Sequence, residues 1–291
     1  MSKLKKLNLG ASPIWEGEND WVILDHKIKR NTALKISGNA TNIKLRKNSC
    51  SVIFCSHVFE HIPHIDLPSV IAEFNRILVK NGTLRLLTPD LEKITKAYAK
   101  KDKKWFKKAI LEDENIRTDL GLGGMLMNFI VSPGQDTILV DRNLSRFIAG
   151  YAHLYLYDYD MLSKILKVGG FKVRKAKFND SKIKEMKTPL HVKGLKKKWQ
   201  NLNKNFYKKN KLLHKLINGK YKINFKVKGF DRDPITSLII EAQKKKNVSK
   251  SKIVNFFNKS KKNYNIYSYS LLHDKSIIKK LSEKKINYKI I

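Results

Sequence analysis

Short apolar runs alternate with amphipathic stretches along the first 90 residues. A short apolar run bounded by polar or turn-forming residues is typical of a strand. The runs that fit this description are residues 4–9, 21–25, 33–37, 51–56 and 83–88. The run at 51–56 is uninterrupted, which predicts a strand buried on both faces of a sheet. Strands that alternate with helical stretches predict an α/β fold built on a parallel sheet.

The clearest helical pattern follows the fourth of these runs. Its apolar residues repeat at spacings of three and four, so that they form one stripe along a helix. They are Leu67, Val70, Ile71, Phe74, Ile77 and Leu78. The pair Asn81-Gly82 is predicted to end this helix, because both residues favour the conformations found at helix termini.

The alternation breaks after the fifth run. A charged helical stretch comes next and is followed by a glycine-rich patch at 119–125. A helix at 158–168, a strand at 171–178 and a buried strand at 236–242 resume the earlier pattern.

The chain has 291 residues, of which 42% are hydrophobic. This is enough for one large domain with insertions. We predict a domain over 1–243 that is interrupted at 91–157 and again, by a Lys/Asn-rich stretch, at 182–230. Residues 244–291 are strongly basic and weakly periodic, and are predicted to form a partly helical appendage.

The formal net charge is +36. A surface this basic could attract nucleic acid, acidic lipid or an anionic substrate. However, only nine of the 61 basic residues are arginine, whose fork-shaped guanidinium serves phosphate and base recognition. Lysine, asparagine and isoleucine dominate, which favours compositional drift. Nucleic acid is therefore a partner that the charge allows but the sequence does not favour.

The two cysteines, Cys50 and Cys55, lie close together in sequence, and the second ends a predicted strand. This spacing predicts no disulfide, and no cysteine–histidine quartet suggests a metal. The N-terminus has no apolar signal region. The longest mostly apolar run, 147–157, is far shorter than the ~20 residues that span a bilayer. These features predict a cytoplasmic protein without a membrane span.

Two blocks of sequence resemble the class I S-adenosylmethionine (SAM)-dependent methyltransferases. Motif I of that family resembles LNLGASPIWEGENDWVILD (7–25). The family's sequence around its fourth and fifth strands resembles SHVFEHIPHIDLPSVIAEFNRILVKNGTLRLLTPDLEKI (56–94), in the type 11-like branch often linked to bacterial sugar and surface-polysaccharide genes. The resemblance implies a Rossmann-like sheet of seven strands, mostly parallel with the last strand antiparallel, and SAM as the methyl donor.

The resemblance also implies where SAM binds, because ligands of such sheets bind at the carboxyl ends of the strands. Gly10 lets the backbone approach the ligand, Asp25 can accept hydrogen bonds from the ribose diol, and Asn39 follows the third strand beside the adenine. The full set of predicted SAM-binding residues is Gly10, Ala11, Ser12, Asp25, His26, Asn39, Ala40, Ser56 and His57.

The sequence departs from the family's pattern at two of these positions. Ser12 stands where the family has a second glycine, and Asn39 stands where it has an acid that contacts the adenine amine; an amide oxygen can also accept that hydrogen bond. In addition, only residues 10–20 separate the first two strands, so the helix between them must be short or absent.

Histidines follow the fourth strand. Since histidine can remove a proton from a hydroxyl near neutral pH, His57 is predicted to be catalytic, with His153 as a second candidate. Glu60 and His61 are predicted to tie the following helix to the sheet. The run HVFEH lacks the spacing of the zinc motif HExxH, and no third ligand is evident, so no metal is expected.

Residues 115–157 are predicted to cap the methyl donor. This segment combines the glycines of 119–125, which could act as hinges, with aromatic and arginine side chains. Arg142, Arg146 and Tyr155 are the predicted substrate-binding residues, because such side chains stack on a ring or hold an anionic group.

The predicted function is SAM-dependent methylation, at oxygen, of a small or sugar-like (glycan-like) acceptor. A nucleic-acid methyltransferase stays open because of the charge, although no (D/N)PP(Y/F) motif is present. A non-catalytic SAM-binding scaffold protein stays open because of Ser12 and Asn39. A nicotinamide-binding domain is disfavoured, since GxGxxG is missing.

Overall fold

The computed structural model describes residues 3–11, 21–110, 120–131, 153–177, 181, 214–217, 220–223 and 235–263. The chain divides into two compact units, Met1–Ile253 and Val254–Ile291. The domain over 1–243, its insertions and the appendage stay predictions.

Nine described strands form two sheets in the first unit. They are β1 (Lys5–Leu9), β2 (Trp21–Asp25), β3 (Lys35–Ser37), β4 (Cys50–Ser56), β5 (Leu78–Pro89), β6 (Phe171–Lys175), β7 (His214–Ile217), β8 (Lys220–Ile223) and β9 (Ser237–Lys244). The large sheet has the order β3-β2-β1-β4-β5-β9-β6. Strand β9 runs antiparallel to both of its neighbours, and the other pairs are parallel. This confirms the predicted seven-stranded sheet. Strands β7 and β8 form a separate antiparallel pair, which the sequence did not predict.

The burial of the central strands follows from their sequence. All five residues of β2 are buried, and so are Val52 to Cys55 in β4. A parallel strand that is covered on both faces needs apolar side chains on both, which accounts for the uninterrupted apolar run in β4.

Six described helices accompany the sheet, together with a 3-10 turn at Phe59–His61. They are α1 (Leu67–Ile77), α2 (Leu91–Ala99), α3 (Lys103–Ile110), α4 (Gly121–Val131), α5 (Tyr159–Val168) and α6 (Lys250–Asn263). Helices α2, α3 and α4 build a small hydrophobic core of their own. Its buried members are Ile94, Ala97, Phe106, Ala109, Phe129 and Leu156. The described part of the stretch after β5 is therefore a helical layer.

Helix α1 ends earlier than predicted. Its last residue is Ile77, and β5 begins at Leu78 instead of after Asn81-Gly82. Lys244 Nζ donates a hydrogen bond of 2.6 Å to the carbonyl oxygen of Leu78. This partner lies 166 residues away, so a tertiary contact is made where α1 passes into β5.

The glycines that were predicted to act as hinges begin helix α4. Gly121 has φ +64° at the helix start, and a Cβ on Gly124 would lie 2.4 Å from Cβ of Leu120. Leu122 and Met125 pack against the core of the helical layer. The glycines permit the tight first turn of α4, and the packing of Leu122 and Met125 holds this segment against the helical layer.

Candidate active site

The carboxyl ends of β1, β2 and β4 are in register at one edge of the sheet. The last residue of β1 pairs with residues of both neighbouring strands, in the row Leu24–Leu9–Cys55. The next residue in each segment is therefore level at this edge. These three residues are Gly10, Asp25 and Ser56, all of which belong to the predicted SAM-binding set.

The backbone at Gly10 requires glycine. Its φ is +71°, and a Cβ there would lie 2.3 Å from Cγ2 of Val58. Its N–H donates a hydrogen bond of 2.9 Å to the carbonyl oxygen of Leu24. Because a side chain would meet both the positive φ and the valine, only glycine leaves this backbone exposed without strain.

Asp25 ends β2 and is only 8% exposed. Its Oδ1 accepts a hydrogen bond of 2.7 Å from the backbone N–H of Lys27, and Nδ1 of the exposed His26 lies 3.8 Å from the same oxygen. A carboxylate has about four acceptor positions. The carboxylate is thus fixed locally and can still accept further hydrogen bonds from a diol.

Asn39 and Ala40 follow β3. Asn39 is exposed, and its Oδ1 accepts a hydrogen bond of 3.2 Å from the N–H of Thr41. Such a bond closes an Asx turn, and Ala40 is buried beneath it. Of the other predicted residues, Ala11 is half-buried. Ser12, Arg142 and Arg146 lie outside the described residues.

A second group of side chains lies beyond β4, around the turn Phe59–His61. The segment 153–157 crosses this turn, since the N–H groups of Leu154 and Tyr155 donate to the carbonyl oxygen of Glu60 at 2.8 and 3.2 Å. The carboxyl ends of the strands, with Gly10, Asp25, Asn39 and Ser56, are called the donor edge from here on. The end of the predicted cap therefore contacts the segment that follows this edge after β4.

Aromatic and imidazole rings line this contact. The ring centroids of His61 and His153 are 5.0 Å apart, as are those of His64 and Tyr155. Nδ1 of His153 lies 2.8 Å from the carbonyl oxygen of Phe129. Burial lowers the pKa of His153, although Glu60 and the Phe129 carbonyl oppose this shift.

Glu60 is fully buried at the centre of this group. Nδ1 of His57 lies 3.2 Å from Oε1, close enough for an ion pair, yet neither carboxylate oxygen has a well-formed hydrogen bond within the described part of the chain. Burial acts to raise the pKa of the carboxyl. The neighbouring imidazoles, His57 foremost and then His61 and His153, outweigh burial and lower the pKa to about 2.

His57 is held from two sides. Its Nε2 lies 2.9 Å from Oγ of Ser237, at the start of β9, while Nδ1 faces Glu60. Its backbone has φ +52° and donates to the carbonyl oxygen of Leu87. Sequence reasoning missed Ser237 because it lies 180 residues away, and no local pattern marks it.

Several buried polar atoms at this edge have no hydrogen-bond partner within the described residues. They belong to Ser56, Glu60, Thr88, Asp90 and Tyr157. The five residues come from the ends of β4 and β5 and from the segments that follow or cross them; Asp90 and Tyr157 pair directly as a parallel bridge. Ser163 on α5 is a sixth case. Buried polar groups are normally satisfied by protein or by ordered water, so these atoms are candidates for contact with a polar ligand.

Residues 23–86 match the family model described as a methyltransferase domain. The match spans β2 to β5, which includes Asp25, Ser56 and His57. The matched segment is similar to a methyltransferase domain, in agreement with the resemblance to class I SAM-dependent methyltransferases. SAM is the methyl donor that this family implies, and the buried, diol-compatible Asp25 and the strictly glycine-type backbone at Gly10 fit it. The branch linked to sugar genes stays a prediction.

Several solved methyltransferase structures are similar to this chain at low sequence identity. A SAM-dependent methyltransferase from Archaeoglobus fulgidus is 12% identical, covers 84% of this chain and 87% of its own, and has a TM-score of 0.37. One from Mesorhizobium loti is 10% identical over 84% and 92%, with a TM-score of 0.39. A putative methyltransferase in complex with the Haloferax volcanii Trm112 activator is 9% identical over 85% of each chain, with a TM-score of 0.38. These values are too low to transfer an activity.

No curated protein matches the chain significantly. Among the helices in the described ranges, none is long and apolar enough to cross a membrane. The cytoplasmic location stays a prediction.

Proposed function

We propose that this methyltransferase acts on a hydroxyl oxygen of a small or sugar-like acceptor that binds near the turn Phe59–His61 and the segment 153–157. The observation that carries the proposal is the set of buried polar atoms at this edge that have no hydrogen-bond partner among the residues the structure describes. A hydroxyl-bearing acceptor can satisfy such groups. An apolar acceptor would leave them unpaired, at a cost of about 1–3 kcal/mol each.

In this proposal the donor lies along the carboxyl ends of β1 and β2. Asp25 accepts hydrogen bonds from the ribose hydroxyls, the exposed Gly10 backbone allows close approach, and Asn39 borders the adenine. The remaining members of the predicted set complete the site; they are Ala11, Ser12, His26, Ala40, Ser56 and His57. When bound, SAM supplies a methyl group that its sulfonium activates.

The chain's part in the chemistry is alignment and proton removal. Holding two reactants in line provides much of the rate, and a hydroxyl must also lose its proton. We assign the proton to His57, because Ser237 and Glu60 fix the orientation of its ring. His153 borders Glu60 from the other side. Tyr155, which is 41% exposed, offers a ring for stacking.

One cluster of lysines in the described residues lies away from the proposed acceptor site, which does not favour a nucleic-acid acceptor there. Lysines line a cavity of about 260 Å³ whose members come from the start of β5 and the end of β9, at the amino edge of the sheet, opposite the donor edge. They are Lys80, Lys244, Lys245 and Lys246, together with Asn48 and Asn247. A polyanion at this cavity would contact the edge that faces away from Asp25.

The test is a product assay on the full-length protein with radiolabelled SAM. Monosaccharides, sugar phosphates and nucleotide sugars are compared with their deoxy analogues, with amines and with RNA and DNA oligonucleotides. We expect transfer to a hydroxylated small molecule and its loss in one deoxy analogue, because a site that hydrogen-bonds a hydroxyl rejects the analogue by up to about 10⁴–10⁵-fold.

Two outcomes would contradict the proposal. Faster transfer to an oligonucleotide than to any small acceptor would support the nucleic-acid alternative. SAM binding without transfer to any acceptor would support the non-catalytic scaffold.

A further inference from the structure

We propose that Glu60, His61 and His153 form a binding site for a divalent transition-metal ion, for which Zn²⁺ is the best match. The inference goes beyond the proposed function and does not depend on the acceptor. The match to the methyltransferase family indicates no metal, so the site is carried by the geometry of these three residues.

The three side chains converge from two distant segments. One nitrogen of each imidazole and one carboxylate oxygen all lie within 4.8 Å of one another. Ligand atoms around a four-coordinate zinc are about 3.3 Å apart when the bonds are about 2.0 Å. Side-chain rotations that move each atom by about 1 Å or less therefore close the site.

Glu60 is the second, independent indication of a cation. Its carboxylate is fully buried, and neither oxygen has a well-formed hydrogen bond within the described residues. Burying an ionised carboxylate is costly unless it is paired or coordinates a metal. His57 faces Oε1 at 3.2 Å, so Oε2 is the oxygen that can face an ion.

The orientation of His153 also suits a ligand. Nδ1 lies 2.8 Å from the carbonyl oxygen of Phe129, which holds the proton on this nitrogen and leaves the lone pair on Nε2. Histidines that bind metals almost always donate their other ring N–H to a carbonyl or carboxylate in this way. The backbone of the following residues is fixed as well, because Leu154 and Tyr155 both donate to Glu60.

The donor set decides which metal is expected. Two imidazoles and one carboxylate are the protein ligands of several catalytic zinc sites and of non-haem iron sites, both of which keep open positions. Mg²⁺ and Ca²⁺ prefer oxygen ligands. An ion held here would also fasten the segment 153–157 to the turn Phe59–His61, and its open position would face a ligand.

The experiment uses full-length protein that has been stripped with a chelator. Zn²⁺ is titrated by calorimetry and by competition with a chromophoric chelator, and Co²⁺ is added separately to record the visible spectrum of a low-coordinate site. We expect one ion per chain with a dissociation constant of about 1 μM or tighter. His61→Ala and His153→Ala should each weaken binding by about 100-fold or more.

Matched controls separate this site from stray histidine binding. His64→Ala and His26→Ala remove exposed histidines and should leave affinity within about twofold. Circular dichroism confirms that each variant is folded. Glu60→Gln changes a buried charge and can therefore alter stability as well as metal binding, so it is compared with the histidine variants and not used alone. Absence of stoichiometric binding, or equal losses in the controls, would overturn the proposal. SAM is titrated separately, so a failed metal site and a failed methyltransferase assignment give different results.

Discussion

The donor edge and the acceptor side satisfy their polar groups in different ways. The acceptor side is the proposed acceptor site, made up of His57, the turn Phe59–His61 and the segment 153–157. At the donor edge, Asp25 and Asn39 each accept a hydrogen bond from a backbone N–H two residues further along the chain. On the acceptor side, Glu60 is buried beside a segment more than 90 residues away, and His57 contacts Ser237 across 180 residues.

The two regions differ in how far their polar groups are already hydrogen-bonded before a ligand binds. Local contacts hold Asp25 and Asn39, whereas the hydroxyl of Ser56 at the same edge has no hydrogen-bond partner within the described residues. Glu60 and Tyr157 on the acceptor side bury polar atoms that have no hydrogen-bond partner in the described part of the chain, which is costly unless another group, water or a ligand satisfies them. We therefore expect substitutions on the two sides to act on different steps: donor binding for the first, transfer for the second.

Glu60→Gln should separate the two sides most strongly. The variant removes the carboxylate that faces the His57 ring, so turnover with the acceptor identified in the product assay should fall by about 10²-fold or more. SAM affinity should change by less than about threefold. Single-turnover rates and calorimetry measure the two effects. Glu92→Gln, at an exposed carboxylate, is the matched control, and unchanged turnover in Glu60→Gln would remove the distinction between the sides.

Gly10→Ala should act on the donor side. The added Cβ meets Val58 at 2.3 Å and the residue keeps a positive φ, which together should weaken SAM binding by about 1–3 kcal/mol, or roughly 5–150-fold. Adding Val58→Ala should restore part of the affinity, because it relieves the clash but not the backbone strain. Gly123→Ala, whose nearest neighbour would lie at 4.0 Å, should bind SAM normally. Normal binding by Gly10→Ala would show that SAM does not approach this backbone.

The same contrast explains what the sequence could predict. Gly10 and Asp25 were predictable because the carboxyl ends of parallel strands meet at one edge and both residues directly follow or end an apolar run. The sheet order followed from the resemblance. The partner of His57 was not predictable, since Ser237 lies 180 residues further along the chain.

The candidate metal site also depends on a contact between residues far apart in the sequence. Glu60 and His61 are adjacent in sequence, but the third side chain, His153, reaches them only because its segment crosses the turn. Distant contacts also matter in α4, where Leu122 and Met125 pack against the helical layer; the hinge role of the glycines stays a prediction.

Tyr155→Ala should have a smaller effect, confined to the acceptor side. Loss of a stacking ring costs about 0.5–1.5 kcal/mol, so the acceptor KM should rise by up to about tenfold while SAM affinity stays the same. Tyr155→Phe should restore most of the affinity if stacking is the cause. Steady-state kinetics measure both variants. A change in SAM affinity that exceeds the change in acceptor KM would place Tyr155 on the donor side.

Removing residues 254–291 should have the smallest effect on both sides. All described donor-edge and acceptor-side residues precede this unit, so SAM affinity should stay within about twofold. If the positive charge is compositional drift, any nucleic-acid binding by the full chain should be weak and lost with modest salt. Filter binding over a salt series checks this. Tight, sequence-selective binding at physiological salt would contradict it.

Calorimetry of SAM with the wild-type chain and Asp25→Ala tests the central claim most directly. We predict one SAM site per chain, weakened by about 1.5–3 kcal/mol, or roughly 10–150-fold, when the ribose contact is lost. Asp160→Ala, which removes an exposed carboxylate on α5, should bind within about twofold of wild type. Equal SAM affinity in wild type and Asp25→Ala would contradict the assignment of the donor edge.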